Sequence, residues 1–169
     1  MTASSLSLGL LVEAEELAQY IHHPLLRVVD LTRRSVYEQL HLPHAIHLQP
    51  KYLMQQNEQA TGLLPNDAGL TALIEYLNIS PEHHVVVYDD EGGAWAGRLI
   101  WNLHCLGFEQ VSLLNGGLHG WLGAGLTTTS EIDPVIHVER LVQVNTAEMT
   151  NFRIEYDDLL QKVEQGSDQ

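Results

Sequence analysis

Short apolar segments alternate along this chain with longer segments whose apolar positions recur at helical spacing. The short segments cover residues 26–30, 44–48, 85–88 and 110–114, and their apolar composition is typical of buried strands. Helical spacing covers residues 13–21, 34–40, 66–77, 94–106 and 118–122. Because strands and helices alternate through short connections, the sequence predicts an α/β fold with a central parallel sheet and helices on both faces. Residues 49–66 are predicted as a long loop with room for one turn of helix.

The character of the sequence changes after residue 126. Residues 127–134 are rich in threonine and end in Pro134, which is typical of a linker. Residues 146–163 contain helix-like patterns, and no further strand follows them. We therefore predict one domain over residues 1–126. Residues 127–169 are predicted to be a linker and a helix that lie outside the core sheet of this domain and continue into a longer protein.

Composition narrows the choice of partners and compartment. The chain has 169 residues and a formal net charge of −14, with 22 acidic against 8 basic residues. Such a charge disfavours nucleic acid and anionic membranes as partners. A single cysteine, Cys105, and the lack of a signal-like N-terminus or a transmembrane-length apolar run fit a cytoplasmic protein. The ten histidines are scattered without a helical ligand pair, so we predict surface or structural histidines, no metal site and no cofactor.

One strand-to-helix junction stands out chemically. The predicted strand at residues 85–88 runs into Asp89, then into an acidic loop containing Gly92 and Gly93, and a helix follows. In α/β folds such a junction concentrates backbone N–H groups and the positive end of a helix dipole, so it is suited to holding an anion. The strand delivers Asp89, a carboxylate rather than a cysteine, to the head of this loop.

Four blocks in this order resemble the rhodanese family: residues 26–30, residues 43–48, residues 85–89 and residues 115–122. The second block departs from the family pattern because His44 stands where glycine is usual. The fourth is Asn-Gly-Gly-Leu-His-Gly-Trp-Leu, which is similar to the family's Gly-Gly-containing block that ends near a tryptophan. The resemblance covers roughly residues 10–125 and implies a rhodanese-like α/β domain.

The chain is most similar to the N-terminal half of tandem thiosulfate and 3-mercaptopyruvate sulfurtransferases. In that half, Tyr-Asp stands where the second domain carries its catalytic cysteine, and Tyr88-Asp89 followed by Ala96-Gly97-Arg98 matches this pattern. The resemblance implies a second rhodanese domain of the same polypeptide as partner, and an anionic sulfur donor at the cleft between them. Asp89 cannot form a persulfide, and Cys105 is expected to be buried at the end of a helix, so we expect no catalytic residue in this chain.

Loops that follow parallel strands gather at one edge of a sheet, which borders the cleft in open α/β folds. On this ground and on the resemblance, eight residues are candidates for the cleft or the interdomain surface: Thr32, Arg33, Arg34, Asp89, Gly92, Gly93, Trp95 and Arg98.

Two other functions are compatible with these residues. The chain could be a stand-alone rhodanese-like module that binds a protein without catalysis. Asp89 could instead be the nucleophile of a phosphatase, but that chemistry needs Mg²⁺ ligands and a lysine, and Lys51 and Lys162 follow no obvious motif strand. A cysteine-bearing rhodanese block after Gln169 would discriminate between these functions.

Overall fold

The computed structural model describes residues 6, 8–58, 60–132, 144, 153–154 and 156–166. Five strands are found in it: β1 (Leu11–Val12), β2 (Leu26–Asp30), β3 (Ile46–His47), β4 (His84–Tyr88) and β5 (Val111–Leu114). Six α-helices accompany them: α1 (Ala14–Ala18), α2 (Arg34–Tyr37), α3 (Asp67–Leu77), α4 (Ala94–Cys105), α5 (Gly117–Gly123) and α6 (Tyr156–Glu164). The predicted α/β architecture is therefore confirmed.

The strands form one parallel sheet in the order β1-β5-β4-β2-β3. β4 lies at its centre, with Val86 in register with Val28 of β2 on one side and with Ser112 of β5 on the other. All five residues of β4 are buried. Because every strand points the same way, the loops that follow β2, β4 and β5 lie at the same edge.

The side chains of β4 point alternately into two apolar layers, as the pleat of a strand requires. Val85 and Val87 pack in a cluster with the inner faces of α3 and α4. Val86 and Tyr88 pack in a second cluster with residues of α1, α2 and α5. Helices therefore cover both faces of the sheet, and burying a side chain of this size stabilises the fold by about 1.5–3 kcal/mol.

The boundaries differ from the predicted ones where local pattern is weakest. The sequence pattern missed β1, a strand of only two residues that forms by pairing with β5. α1 and α2 are shorter than predicted, ending at Ala18 and Tyr37, and β3 keeps only two of five predicted residues. Within the predicted loop, Pro50–Leu53 forms a 3-10 helix. The fixed backbone angle of proline favours such a turn at its first position.

The segment after α5 stays against the domain as far as the structure describes it continuously. Thr129 exchanges two backbone hydrogen bonds with His41, of 2.8 and 2.9 Å, and the Trp121 indole donates to the Thr127 carbonyl. Val144 packs against the cluster on the α3 and α4 side. The side chains of α6 are exposed along its whole length. The predicted domain boundary at residue 126 stays a prediction.

Candidate functional site

Asp89 lies at the carboxyl end of β4, and its side chain turns back into the loop that follows. Oδ1 accepts hydrogen bonds from the N–H groups of Glu91 (3.0 Å) and Gly93 (2.7 Å). Oδ2 accepts from the N–H groups of Trp95 (3.0 Å) and Ala96 (3.1 Å), which open helix α4. The residue is only 2% exposed. The carboxylate therefore occupies the anion-binding position that this loop and helix N-terminus create.

Glycines allow the backbone to close around Asp89. Gly92 and Gly93 have φ values of 81° and 88°, in the left-handed region that other residues rarely adopt. Gly117, at the start of α5, has a φ of 54°, and a Cβ there would lie 2.2 Å from the Asp89 carbonyl oxygen. Leu118 donates its N–H to that same oxygen at 3.0 Å. The two glycine-rich turns after β4 and β5 are thus packed together at the Asp89 backbone.

Glu91 joins two of the candidate residues at the exposed rim of this edge. Its Oε1 accepts from Arg33 Nη2 and its Oε2 from Trp95 Nε1, both at 3.1 Å. The Arg33 side chain is 76% exposed, so the ion pair lies in solvent. Trp95 belongs to the first turn of α4, within the predicted helix, and it is partly buried against the α3 and α4 cluster.

The other two arginines serve different contacts. Arg34 pairs with Glu38 one turn later in the chain, at 2.6 Å. Arg98 points to the loop before α3, where it donates to the carbonyl oxygens of Leu53 (3.3 Å) and Gly62 (2.8 Å), and it lies over the Trp101 ring. Of the eight candidates, the structure brings together Asp89, Gly92, Gly93, Trp95 and Arg33, while Arg98 holds a loop.

A buried polar network, which the sequence pattern did not reveal, lies beside Asp89. The Tyr88 hydroxyl donates to Asp30 Oδ2 and accepts from the Leu42 N–H at 3.2 Å. Asp30 Oδ1 accepts from the Thr32 N–H at 2.7 Å. Burial raises the pKa of Asp30, and burial together with the Asp30 charge raises the pKa of Tyr88 well above its ordinary value. Buried Thr32 therefore belongs to this network.

The lone cysteine has no such surroundings. Cys105 is the last residue of α4 and is buried. Burial raises the pKa of its thiol, which disfavours the thiolate needed for nucleophilic attack. The expectation of a buried Cys105 at a helix end is confirmed.

A small cavity of about 220 Å³ opens beside the Asp89 loop. Its wall includes Asp90, Asn115 and His119. Among the residues that the structure describes, no group of three or more histidine, cysteine, aspartate or glutamate side chains could hold a metal ion. No helix in the same part of the chain is long and apolar enough to cross a bilayer. This edge therefore carries two exposed arginines, each paired with a glutamate, and a carboxylate that already accepts the backbone N–H groups of its loop.

Comparison with known proteins places this geometry in a family. The sequence profile of the rhodanese-like domain matches residues 13–124. Thiosulfate sulfurtransferase of Pseudomonas aeruginosa is 42% identical over 125 residues, which are 74% of this chain and 46% of that protein. A probable 3-mercaptopyruvate sulfurtransferase of the same organism is 34% identical over 133 residues, 71% of this chain and 47% of its own. The chain spans about half the length of these curated relatives.

A solved structure extends the likeness to the fold. The crystal structure of SseA from Escherichia coli, described as a 3-mercaptopyruvate sulfotransferase with a rhodanese fold, superposes with a TM-score of 0.78 at 23% identity. The superposition covers 96% of this chain and 64% of that one. With a profile match over most of its length and sulfurtransferase relatives above 30% identity, the chain belongs to the rhodanese-like domain family.

Proposed function

We propose that this chain is the non-catalytic rhodanese domain of a sulfurtransferase. It forms one wall of an active cleft whose cysteine belongs to a second rhodanese domain of the same polypeptide. The thiolate of that cysteine attacks the outer sulfur of an anionic donor, releasing sulfite from thiosulfate or pyruvate from 3-mercaptopyruvate. The resulting persulfide passes its outer sulfur to a thiophile such as cyanide, which forms thiocyanate and restores the thiolate. The observation that carries the proposal is the Asp89 carboxylate, which accepts four N–H groups of its own loop.

Sulfur transfer through an enzyme persulfide needs a thiolate whose anion is held by such N–H groups. Here these N–H groups already donate to the Asp89 carboxylate. A carboxylate cannot form a persulfide, and its negative charge repels a second anion. Cys105 is a full helix away in sequence and buried. The chain therefore has the fold and the anion-binding turn on which such a reaction depends, but it lacks the nucleophile.

Two features support a role in a shared cleft. The matched segments are only 46% and 47% of the curated relatives, which leaves room in those proteins for a cysteine-bearing domain. Arg33 presents an exposed cation at the carboxyl edge of the sheet, where it can attract an anionic donor despite the net charge of −14. We also place the protein in the cytoplasm, since its one cysteine requires no oxidising compartment.

The test uses a chimera of the Pseudomonas aeruginosa thiosulfate sulfurtransferase in which residues 8–132 of this chain replace the segment they match. Thiocyanate formation from thiosulfate and cyanide should be at the no-enzyme level for the chain alone and well above it for the chimera. In the chimera, Arg33→Ala should raise KM for thiosulfate several-fold with little change in kcat, and Lys51→Ala should change neither.

Several results would contradict the proposal. Activity of the isolated chain that disappears in Cys105→Ala would identify a nucleophile within it. A chimera that folds but has no activity would favour a stand-alone protein-binding module. The same conclusion would follow if kcat and KM of the chimera stayed unchanged when Arg33→Ala, Arg34→Ala and Trp95→Ala were combined. The phosphatase alternative is disfavoured, because the Asp89 carboxylate is buried and faces its own loop rather than a substrate.

A further inference from the structure

Two histidines from separate turns meet at the edge of the sheet opposite Asp89. His22 lies in the turn between α1 and β2, and His44 lies in the turn between α2 and β3. Because β2 and β3 are adjacent parallel strands, the turns that precede them come together at their amino ends. His22 Nδ1 and His44 Nε2 are 3.0 Å apart, and both side chains are exposed.

The separation of these nitrogens suits a shared metal ion. Zinc binds histidine nitrogen at about 2.0–2.1 Å, so two nitrogens on one tetrahedral ion stand about 3.3–3.4 Å apart, a separation that these two exposed rings reach by a shift of a few tenths of an ångström. The rings meet edge to face, with an interplanar angle of 74° and centroids 5.1 Å apart, so they are not stacked. Without an ion, the same approach is a hydrogen bond between two imidazoles, in which one ring supplies the proton.

The backbone of His44 points to a role for its side chain. Its φ is 62°, in the left-handed region, which costs a residue with a Cβ roughly 1–2 kcal/mol and costs glycine little. An uncommon backbone conformation that persists is a reason to look for a function of the residue that adopts it. Here the conformation accompanies the contact between the two imidazoles.

Space for further ligands is present beside the pair. A cavity of about 450 Å³ is lined by His22 and His44 and extends towards Tyr37 and Tyr76. Two arginines on its wall are already engaged, Arg34 with the Glu38 carboxylate and Arg27 with backbone carbonyl oxygens. Water or a small anion can therefore complete the coordination of an ion held by the two imidazoles.

We propose that His22 Nδ1 and His44 Nε2 form a two-histidine site for a divalent transition-metal ion of the zinc, nickel or copper class. Each ring then carries its proton on the other nitrogen, so two neutral imidazoles bind the ion through lone pairs without net proton release. The ion would clamp the turns before β2 and β3. This site is independent of the proposed sulfur-transfer function, because it lies at the opposite edge of the sheet.

The experiment is calorimetric titration of the untagged chain with ZnCl₂ and NiCl₂ at pH 7.5, together with thermal unfolding at each metal concentration. We expect one saturable site of micromolar affinity and a rise in Tm with metal. His22→Gln and His44→Gln should each weaken binding at least tenfold. His119→Gln, which changes an exposed residue of α5, should leave binding unchanged. His44→Gly should abolish the metal-induced rise without lowering Tm in the absence of metal, because glycine tolerates φ of 62°.

The proposal is overturned if no saturable binding occurs at metal concentrations up to about 0.1 mM. It is equally overturned if binding survives both His22→Gln and His44→Gln, since the ion would then sit elsewhere. A lower Tm of His44→Gly without metal, together with a parent Tm that metal does not raise, would also overturn it, because the imidazole would then serve the fold through its own contacts rather than through an ion.

Discussion

At the scale of single residues, Asp89 is the residue on which the site depends. One carboxylate satisfies four backbone N–H groups that the turn and the first turn of α4 leave without intrahelical partners. Its negative charge also complements the positive end of the helix dipole. In this chain the anion-binding position is therefore occupied by a carboxylate that caps the helix.

Replacing Asp89 by alanine should lower the free energy of unfolding by about 3 kcal/mol, because several N–H groups lose a charged acceptor. Urea unfolding followed by far-UV circular dichroism measures this loss. Asp90→Ala is the matched control, since the structure gives that side chain no hydrogen bond, and it should stay within about 0.5 kcal/mol of the parent. Equal stability of the two variants would show that solvent replaces the Asp89 carboxylate.

A second prediction at this scale concerns pH and Asp30. Burial raises the pKa of Asp30 in the folded state, so the folded chain binds this proton more tightly than the unfolded chain. The contribution of Asp30 to stability is therefore complete below the unfolded pKa of about 3.9 and is lost as pH rises through the folded pKa. The stability of the parent minus that of Asp30→Asn should accordingly fall as the pH rises above about 4, as measured by urea unfolding at each pH. A difference that grows over this interval would refute the raised pKa.

At the scale of elements, α4 connects the site to the rest of the domain. Its first turn supplies two of the N–H groups on Asp89. Its middle holds the long loop before α3, because Arg98 and Asn102 both donate to the Leu53 carbonyl, at 3.3 and 2.9 Å. Helix α4 therefore contacts both the Asp89 turn and the loop before α3.

Arg98→Ala should loosen the loop that Arg98 holds and lower the free energy of unfolding by about 1–2 kcal/mol. Hydrogen exchange reports the loosening directly, at the amides of Gln55 and Leu63, which exchange backbone hydrogen bonds of 2.9 Å across the loop. Arg34→Ala removes an exposed ion pair only and should cost less than about 0.5 kcal/mol. Unchanged exchange at Gln55 and Leu63 in Arg98→Ala would mean that the loop is held by other contacts.

The sequence predicted the central elements closely and the peripheral ones poorly, for a physical reason. β4 and β5 consist almost entirely of buried residues, and α4 lies between Gly93 and Gly107 and buries one stripe, so their pattern is local. β1 has one exposed residue and one buried residue and forms only because β5 offers it a partner. Such a strand forms by pairing with residues about a hundred positions away in the chain, and a local sequence pattern does not show this pairing.

At the scale of the whole molecule, the position of Asp89 at the carboxyl edge could be predicted, but its partners could not. Alternation of strands and helices places Asp89 and Arg33 at one edge. The direction of the carboxylate, back into its own loop, depends on the positive φ of Gly92 and Gly93 and on Gly117 packing against the Asp89 carbonyl. The Asp30–Tyr88 contact likewise joins two strands and appears only in the folded chain.

Removing residues 133–169 should leave the domain folded, with Tm lowered by no more than a few degrees. The described part of the chain up to residue 132 already contains the five strands and both apolar clusters, and Val144 adds one partly buried side chain to one of them. Differential scanning calorimetry of the truncated and full chains measures the change. Loss of a cooperative transition on truncation would show that the removed segment belongs to the core.

The sheet has a two-residue strand at each margin, β1 on one side and β3 on the other. A margin this short exposes few unpaired N–H and C=O groups, so it gives a foreign strand little to extend. Aggregation by addition of strands from other chains to this sheet is therefore disfavoured, even at high protein concentration. Association with another domain must proceed instead through side chains and turns, which can be changed one residue at a time without disturbing the sheet.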